Sequence, residues 1–182
     1  MRLNLIKFGT VKSTNDIAIN IIRSKKSNAG IIVSDNQTKG RGTMGKEWVS
    51  LNGNLFTSIF FELKKNMPKP EEFSIINPLI IKKVLNEYST FDVKIKWPND
   101  LLIKSRKVCG ILQELIKVDK KNFLIIGIGI NTRNSPNNKK FKSISLLECS
   151  DKIINNYKIL KNLKKNYELS NWRYWQYKYK NL

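Results

Sequence analysis

Between residues 93 and 131 the chain reads VKIKW, DLLIK, KVCGILQELIKV and NFLIIGIGIN, four segments rich in Val, Ile, Leu and Phe. The polar turns between them, SRK (105–107) and DKK (119–121), are short enough only for hairpins. This stretch therefore predicts a meander of antiparallel strands, which commits the chain to a sheet-centred α+β class. The other elements are assigned around it. LNLIKF (3–8), IIVSD (31–35) and NLFTSIFFEL (54–63) read as strands. Ser13 is placed as an N-cap with Asp16 at the third helical position, and Ile17, Ala18, Ile21 and Ile22 mark the apolar face that follows. PKPEEFSIINPLIIKKVLNEY is expected to be helical, broken or kinked at Pro78. A further helix is expected over 151–167. The final NWRYWQYKYKNL is aromatic and basic without a clear period.

At 182 residues and 41% hydrophobic, the chain supports one core. No repeat, linker or second domain is legible. No stretch approaches the roughly 18 apolar residues of a membrane span, and the first residues lack the pattern of a signal peptide. A cytoplasmic location with no membrane partner is the expectation. Histidine is absent, which excludes Ser-His-Asp and Cys-His catalysis and disfavours zinc. Cys109 and Cys149 make no disulfide framework. Acid–base or electrophilic work falls to Lys, Arg, Asp, Glu or Tyr. The net charge of +20 would attract polyanions, but only six of the 34 basic residues are arginine, a bias that compositional drift also produces.

GRGTMGKEW (40–48) lies one residue from a phosphate-binding P-loop, with Glu47 where the hydroxyl should stand. A P-loop also needs a helix beginning at its lysine. Here WVSLNGNLF leads instead through an Asn-Gly turn into a strand, so the P-loop reading fails. The glycines allow a close wrap around a ligand, Arg41 and Lys46 offer charge to an anion, and Trp48 offers an apolar face. KWPND (96–100) joins two strands and sets Lys96, Asn99 and Asp100 at one sheet edge, a combination suited to phosphate, nucleoside and hydrated Mg²⁺. Lys107 and Gly110 sit three apart, which places them on opposite faces of a regular strand. GIGIN (127–131) sets glycines on one face with Asn131 where the strand ends.

Ser13-Thr-Asn15, Gln37, Gly40-Arg41-Gly42 with Trp48, Lys96-Trp-Pro-Asn-Asp100, Lys107 with Gly110-Ile-Leu, and Gly127-Ile-Gly-Ile-Asn131 resemble, in order, the catalytic domain of the biotin protein ligases. The related lipoate and octanoate ligases share that fold but not the pairing of KWPND with K-x-x-G-I-L. The resemblance implies a single domain over 1–182, with a mixed, largely antiparallel sheet flanked by helices, like a class II aminoacyl-tRNA synthetase. It implies ATP and Mg²⁺ as cofactors, and biotin activated to biotinyl-5′-AMP before transfer to a lysine of a biotin carboxyl carrier domain of a carboxylase. Lys107, Arg41 and Lys96 would be catalytic. Ser13, Thr14, Asn15, Gln37, Gly40, Arg41, Gly42, Thr43, Trp48, Lys107 and Gly110 would bind biotin. Lys46, Lys96, Asn99, Asp100 and Asn131 would serve ATP, with Asp100 toward Mg²⁺. The loop would act as a lid over a hydrolysable anhydride.

The sequence also departs from that family. Thr43 and Met44 stand where basic residues are common, and Lys46 where arginine is frequent, which implies looser retention of the adenylate. Neither an N-terminal DNA-binding module nor a C-terminal barrel is legible, so no specific DNA partner is expected. Trp172, Tyr174, Trp175, Tyr177 and Tyr179 either stand in for part of the barrel or form a helix packed on the sheet. A monomer or homodimer fits equally. A non-catalytic, basic nucleic-acid-binding protein is the reading from a different class.

Overall fold

The computed structural model describes residues 1–137 and 141–180, with side chains through Tyr177. The meander forms β4 (Lys94–Lys96), β5 (Asp100–Ile103), β6 (Arg106–Val118) and β7 (Lys121–Ile130), antiparallel in turn. With β1 (Asn4–Val11), β2 (Ala29–Gln37) and β3 (Leu55–Glu62) they build a seven-stranded sheet of order β1-β2-β3-β7-β6-β5-β4. Among these seven strands only β1 and β2 pair in parallel, and α1 (Thr14–Arg23) makes the crossover between them. The mixed, largely antiparallel sheet expected from the sequence is the one observed.

Alternation along the strands divides the core in two. On one face Ile32, Phe60, Phe123 and Ile125 meet Ala18 and Ile22 of α1. On the other, Ile59, Phe61, Leu124, Ile126 and Ile128 meet α2 (Phe73–Asn86) and α3 (Asn156–Glu168). The last element, α4 (Trp172–Lys180), closes this second layer. Trp172 stacks on Phe61 with ring centroids 6.0 Å apart and meets Phe73 edge-on at 5.2 Å, and Trp175 is buried. The C-terminal aromatics are thus a packed helix, although Tyr179 lies outside the residues whose side chains are described.

Three local expectations are corrected. The helix at Pro78 neither stops nor restarts; α2 runs from Phe73 to Asn86 with Pro78 inside it. Ile76, Leu79, Ile80 and Ile81 are buried on both sides of the proline. Their burial, at about 1.5–3 kcal/mol each, outweighs the roughly 3 kcal/mol of a lost turn bond. Next, α3 begins at Asn156 rather than 151, because the Asn155 side chain accepts from the amides of Tyr157 and Lys158 at 2.9 and 3.1 Å and caps the helix there. Finally, Ser13 occupies the N-cap position in extended geometry without a side-chain cap bond. Its expected capping partner, Asp16, is engaged instead by Arg41 at 2.8 Å.

Candidate active site

The cleft opens where α1 stops covering the sheet. On β7 one face carries Phe123 and Ile125 beneath the helix, then Gly127, Gly129 and Asn131. Side chains vanish from the row just past the helix N-terminus. A Cβ on Gly127 would lie 2.5 Å from Asn15 Oδ1, and one on Gly110, which pairs with Gly129 across the strands, 2.6 Å from the Trp48 ring. The glycines therefore form a floor on which backbone meets the next layer directly. Over it lies a cleft of about 960 Å³.

Lys107 reaches this floor through an irregularity in β6. Asp100 pairs with Gly110 and Leu101 with Cys109, but Leu102 pairs with Lys107, leaving Val108 as an extra residue. The bulge reverses the side-chain parity, so Lys107 and Gly110 share the cleft face. The expectation that they lie on opposite faces is overturned; the Lys107 Cε is 3.3 Å from where a Gly110 Cβ would be. The strand-like segment after Phe141 secures the bulge. Lys107 N–H donates to the Lys142 carbonyl, and Ile144 N–H donates to the Lys107 carbonyl, each at 3.0 Å.

The Lys107 ammonium lies 2.7 Å from Asp100 Oδ1 and 5.3 Å from the centre of the Trp48 ring. That Asp100 oxygen is buried, and the lysine charge meets it there as a salt bridge. Asn131 Oδ1 and Trp48 Nε1 are buried without a hydrogen-bond partner. Two unsatisfied polar atoms in one cleft, at about 1–3 kcal/mol each, are a cost that a polar ligand would relieve.

At the other end of the cleft Ser13, Thr14 and Asn15 are all nearly fully buried. Thr14 donates to Gln37 Oε1 through its amide (2.8 Å) and hydroxyl (3.1 Å), and its Oγ1 lies 2.7 Å from the Ser58 hydroxyl oxygen. Asn15 is spent on protein partners: its amide nitrogen donates to Glu114, and its oxygen accepts from Ser58. Ser13 makes no cap and lines the cleft. The loop is a small hairpin. Trp48 N–H donates to the Gly40 carbonyl at 2.9 Å, Gly42 N–H to that of Lys46 at 2.7 Å, and residues 43–45 form a single turn with Met44 and Gly45 at positive φ. Thr43 Oγ1 accepts from the Asn99 amide at 3.3 Å, joining the loop tip to the KWPND turn, whose Trp97–Pro98 bond is cis.

Ser13, Thr14, Asn15, Gln37, Arg41, Gly42, Thr43, Lys46, Trp48, Lys96, Asn99, Asp100, Lys107, Gly110 and Asn131 all line this cleft, and of the candidate site residues Gly40 alone does not. Gly40 sits behind it, packed on the Trp48 carbonyl. Arg41 lines it, yet its guanidinium is held by Glu114 (2.9 and 2.8 Å) and Asp16. Burial opposes its charge, but the hydrogen bonds and field of Glu114 and Asp16 prevail and hold its pKa up. Sequence reasoning missed Glu114, Ser58, Phe141 and Lys142. The first two were findable by counting in twos along β6 from Gly110 and along β3 from Phe60. A second, shallower hollow of about 620 Å³ near Arg133 has its Asn134 and Glu148 side chains bonded to their own neighbours.

Comparison with known proteins points the same way. The sequence model of the Biotin/lipoate A/B protein ligase family matches residues 8–131. The bifunctional ligase/repressor BirA of Bacillus subtilis is 32% identical over 139 residues, which cover 75% of this chain and 43% of that protein. The chain thus spans less than half the length of that relative. The biotin protein ligase of Aquifex aeolicus in complex with biotin and ATP superposes with a TM-score of 0.71 at 34% identity, covering 92% of this chain and 73% of the other. That of Leishmania major in complex with biotinyl-5-AMP gives 0.77 at 25%, covering 88% and 71%. The sheet, the glycine floor and the ordered segments around it all lie within or beside the matched region, and the chain belongs to the biotin/lipoate A/B protein ligase family.

Proposed function

We propose that this cleft activates biotin with ATP and passes it to a lysine of a carrier domain. The observation that carries the reading is Lys107, turned by its bulge onto a side-chain-free floor beside Asp100 and Asn131. In the first step a biotin carboxylate oxygen attacks the α-phosphorus of ATP and pyrophosphate leaves with the electron pair. Two anions must approach, so preorganised cations at that point are the main requirement, each worth about 3 kcal/mol. Lys107 sits where it can bind both the carboxylate and an α-phosphate oxygen, exchanging its contact with Asp100 for them. Lys96 and Lys46, on the turn and the loop, face the remaining phosphates. Thr14 and Gln37, with the uncommitted Ser13, form the polar wall for the ureido end, and the Trp48 ring covers the ligand. In the second step the amine of a carrier lysine attacks the acyl carbon and AMP departs, its nitrogen losing a proton to water.

Asp100 and Asn131 offer hard oxygen atoms, that of Asn131 without a hydrogen-bond partner, which fit Mg²⁺ better than a softer metal. No group of three or more acidic, Cys or His residues that could hold a metal occurs among the described residues, consistent with an ion carried mainly by phosphates and water. Bound there, Mg²⁺ would supply charge neutralisation to the phosphates. The carrier is expected to be the carboxyl carrier domain of a biotin-dependent carboxylase. No described helix is long and apolar enough to cross a membrane.

The test is ATP–pyrophosphate exchange with biotin, octanoate and lipoate compared side by side. Exchange that requires biotin is expected. A preference for octanoate or lipoate would move the assignment to the other branch of the family.

A further inference from the structure

Glu114 stands on β6 four residues beyond Gly110, at the junction of three walls of the cleft. Its Oε2 accepts from Asn15 Nδ2 of α1 at 2.7 Å and from Arg41 Nη2 of the loop at 2.8 Å, and its Oε1 accepts from Arg41 Nη1 at 2.9 Å. Asp16 Oδ1 takes Arg41 Nη2 at 2.8 Å from the helix side. The Glu114 side chain is about a quarter exposed, so this fork is shielded more than a surface pair. Only a carboxylate can accept from both guanidinium nitrogens and from an amide at once. A glutamine would turn a donor toward Arg41.

We propose that Glu114 is a positioning residue that locks the stem of the 40–48 loop to the biotin-facing end of α1. This deepens the ligase reading and rests on it for the identity of the substrate. Arg41 then serves as the anchor of the stem, and the cations left to close over phosphate are Lys46 at the loop and Lys96 and Lys107 on the sheet. Asn15, fixed at both ends by Glu114 and Ser58, sets the position of Thr14 and Ser13 without touching the ligand itself. Closure is confined to the tip, residues 43–46, where Met44 is 93% exposed. The helix end and the loop stem stay in one register.

The experiment compares Glu114→Gln, Arg41→Gln and the double variant. The first readout is tryptic cleavage after Lys46, normalised to cleavage after Lys120 in the β6–β7 turn. The second is the split between KM for biotin and kcat in exchange. Each single variant is expected to speed Lys46 cleavage about tenfold and to raise biotin KM about tenfold, with kcat of Glu114→Gln within about twofold. Because both residues share the Glu114–Arg41 fork, the loss in the double variant should fall short of the product of the single losses. Wild-type cleavage and KM in Glu114→Gln, or losses that multiply in the double variant, would overturn the proposal. Should Glu114→Gln fold poorly, Arg41→Gln approaches the same contact from the exposed side. Cleavage needs no substrate, so a chain that lacks biotin-dependent exchange but keeps this coupling would lose the biotin assignment and retain the latch.

Discussion

The glycines of β7 separate two kinds of constraint two residues apart. The Cβ of Gly127→Ala would meet Asn15, which is buried and bonded at both ends and has nowhere to move. We expect this variant to lose about 1–3 kcal/mol of stability in urea unfolding, the cost of disrupting a buried polar network. Gly129→Ala meets the Trp48 ring, a partly exposed side chain at the cleft wall whose Nε1 has no hydrogen-bond partner to lose. Its melting temperature should stay near that of wild type while biotin affinity falls. Burial pushes the Cys109 thiol well above its ordinary pKa, against a smaller opposing pull from Lys107, and Cys149 is buried too. Neither should react with iodoacetamide until the chain is unfolded, as mass spectrometry would report. At this scale the sequence is legible only in part. The glycine spacing on β7 read correctly, because period-2 alternation survives along a regular strand. Lys107 did not, because parity counting assumes no bulge, and Val108 and Cys109, both buried, carry no residue signal that one has been inserted.

Among the elements, the loop is where this chain departs most from what its motifs imply. Its tip carries Thr43 and Met44; Thr43 accepts from Asn99, and Met44 points into solvent. No guanidinium is available there to grip phosphate in two-pronged fashion. Replacing Thr43→Arg is expected to lengthen the half-life of enzyme-bound adenylate about tenfold, roughly 1.4 kcal/mol, in a filter-retention assay. An unchanged half-life would mean that retention is governed elsewhere in the cleft. The strands were legible because apolar alternation and turn residues agree along the whole meander. The helix boundaries were less so. The capping Asn155 lies within a polar run, DKIINNYK, that offers several rival starts. Pro78 looked disruptive because local sequence does not report how much burial surrounds it. The terminal helix lacked a readable period because aromatic residues lie on both of its faces, Trp172 and Trp175 toward the core and Tyr177 toward solvent.

For the molecule as a whole, acid stability is tied to two carboxylates that join distant parts of the chain. At Glu148 burial favours the neutral form, but hydrogen bonds from Ser145 and Ser135 and the charge of Arg106 outweigh it and hold the pKa down. At Glu168 burial likewise opposes the charge. The Leu3 amide, Lys164 and the N-terminal amine prevail, tying β1 to the end of α3. A carboxyl depressed in the folded state binds protons less readily than in the unfolded chain. Its stabilisation is therefore complete above the unfolded value, about pH 4.3, and is lost as pH falls through the lower folded value. The denaturation midpoint should fall over that acid range, and the slope should flatten in a Glu148→Gln/Glu168→Gln variant. The meander was legible at this scale because hairpin-length turns force consecutive strands to pair, whereas the mixed sheet as a whole was implied by the family resemblance. The junction of Glu114, Arg41, Asp16 and Asn15 was not, because it joins residues up to 99 positions apart. The central claim, that this cleft forms biotinyl-adenylate with Lys107 neutralising the approaching anions, is tested most directly by quenching a single turnover of ATP and biotin and separating the nucleotides. Biotinyl-5′-AMP is expected in near-stoichiometric amount from the wild type and slowed about 10²–10³-fold in a folded Lys107→Met variant. Adenylate formed at the wild-type rate by that variant, or none from the wild type, would contradict it.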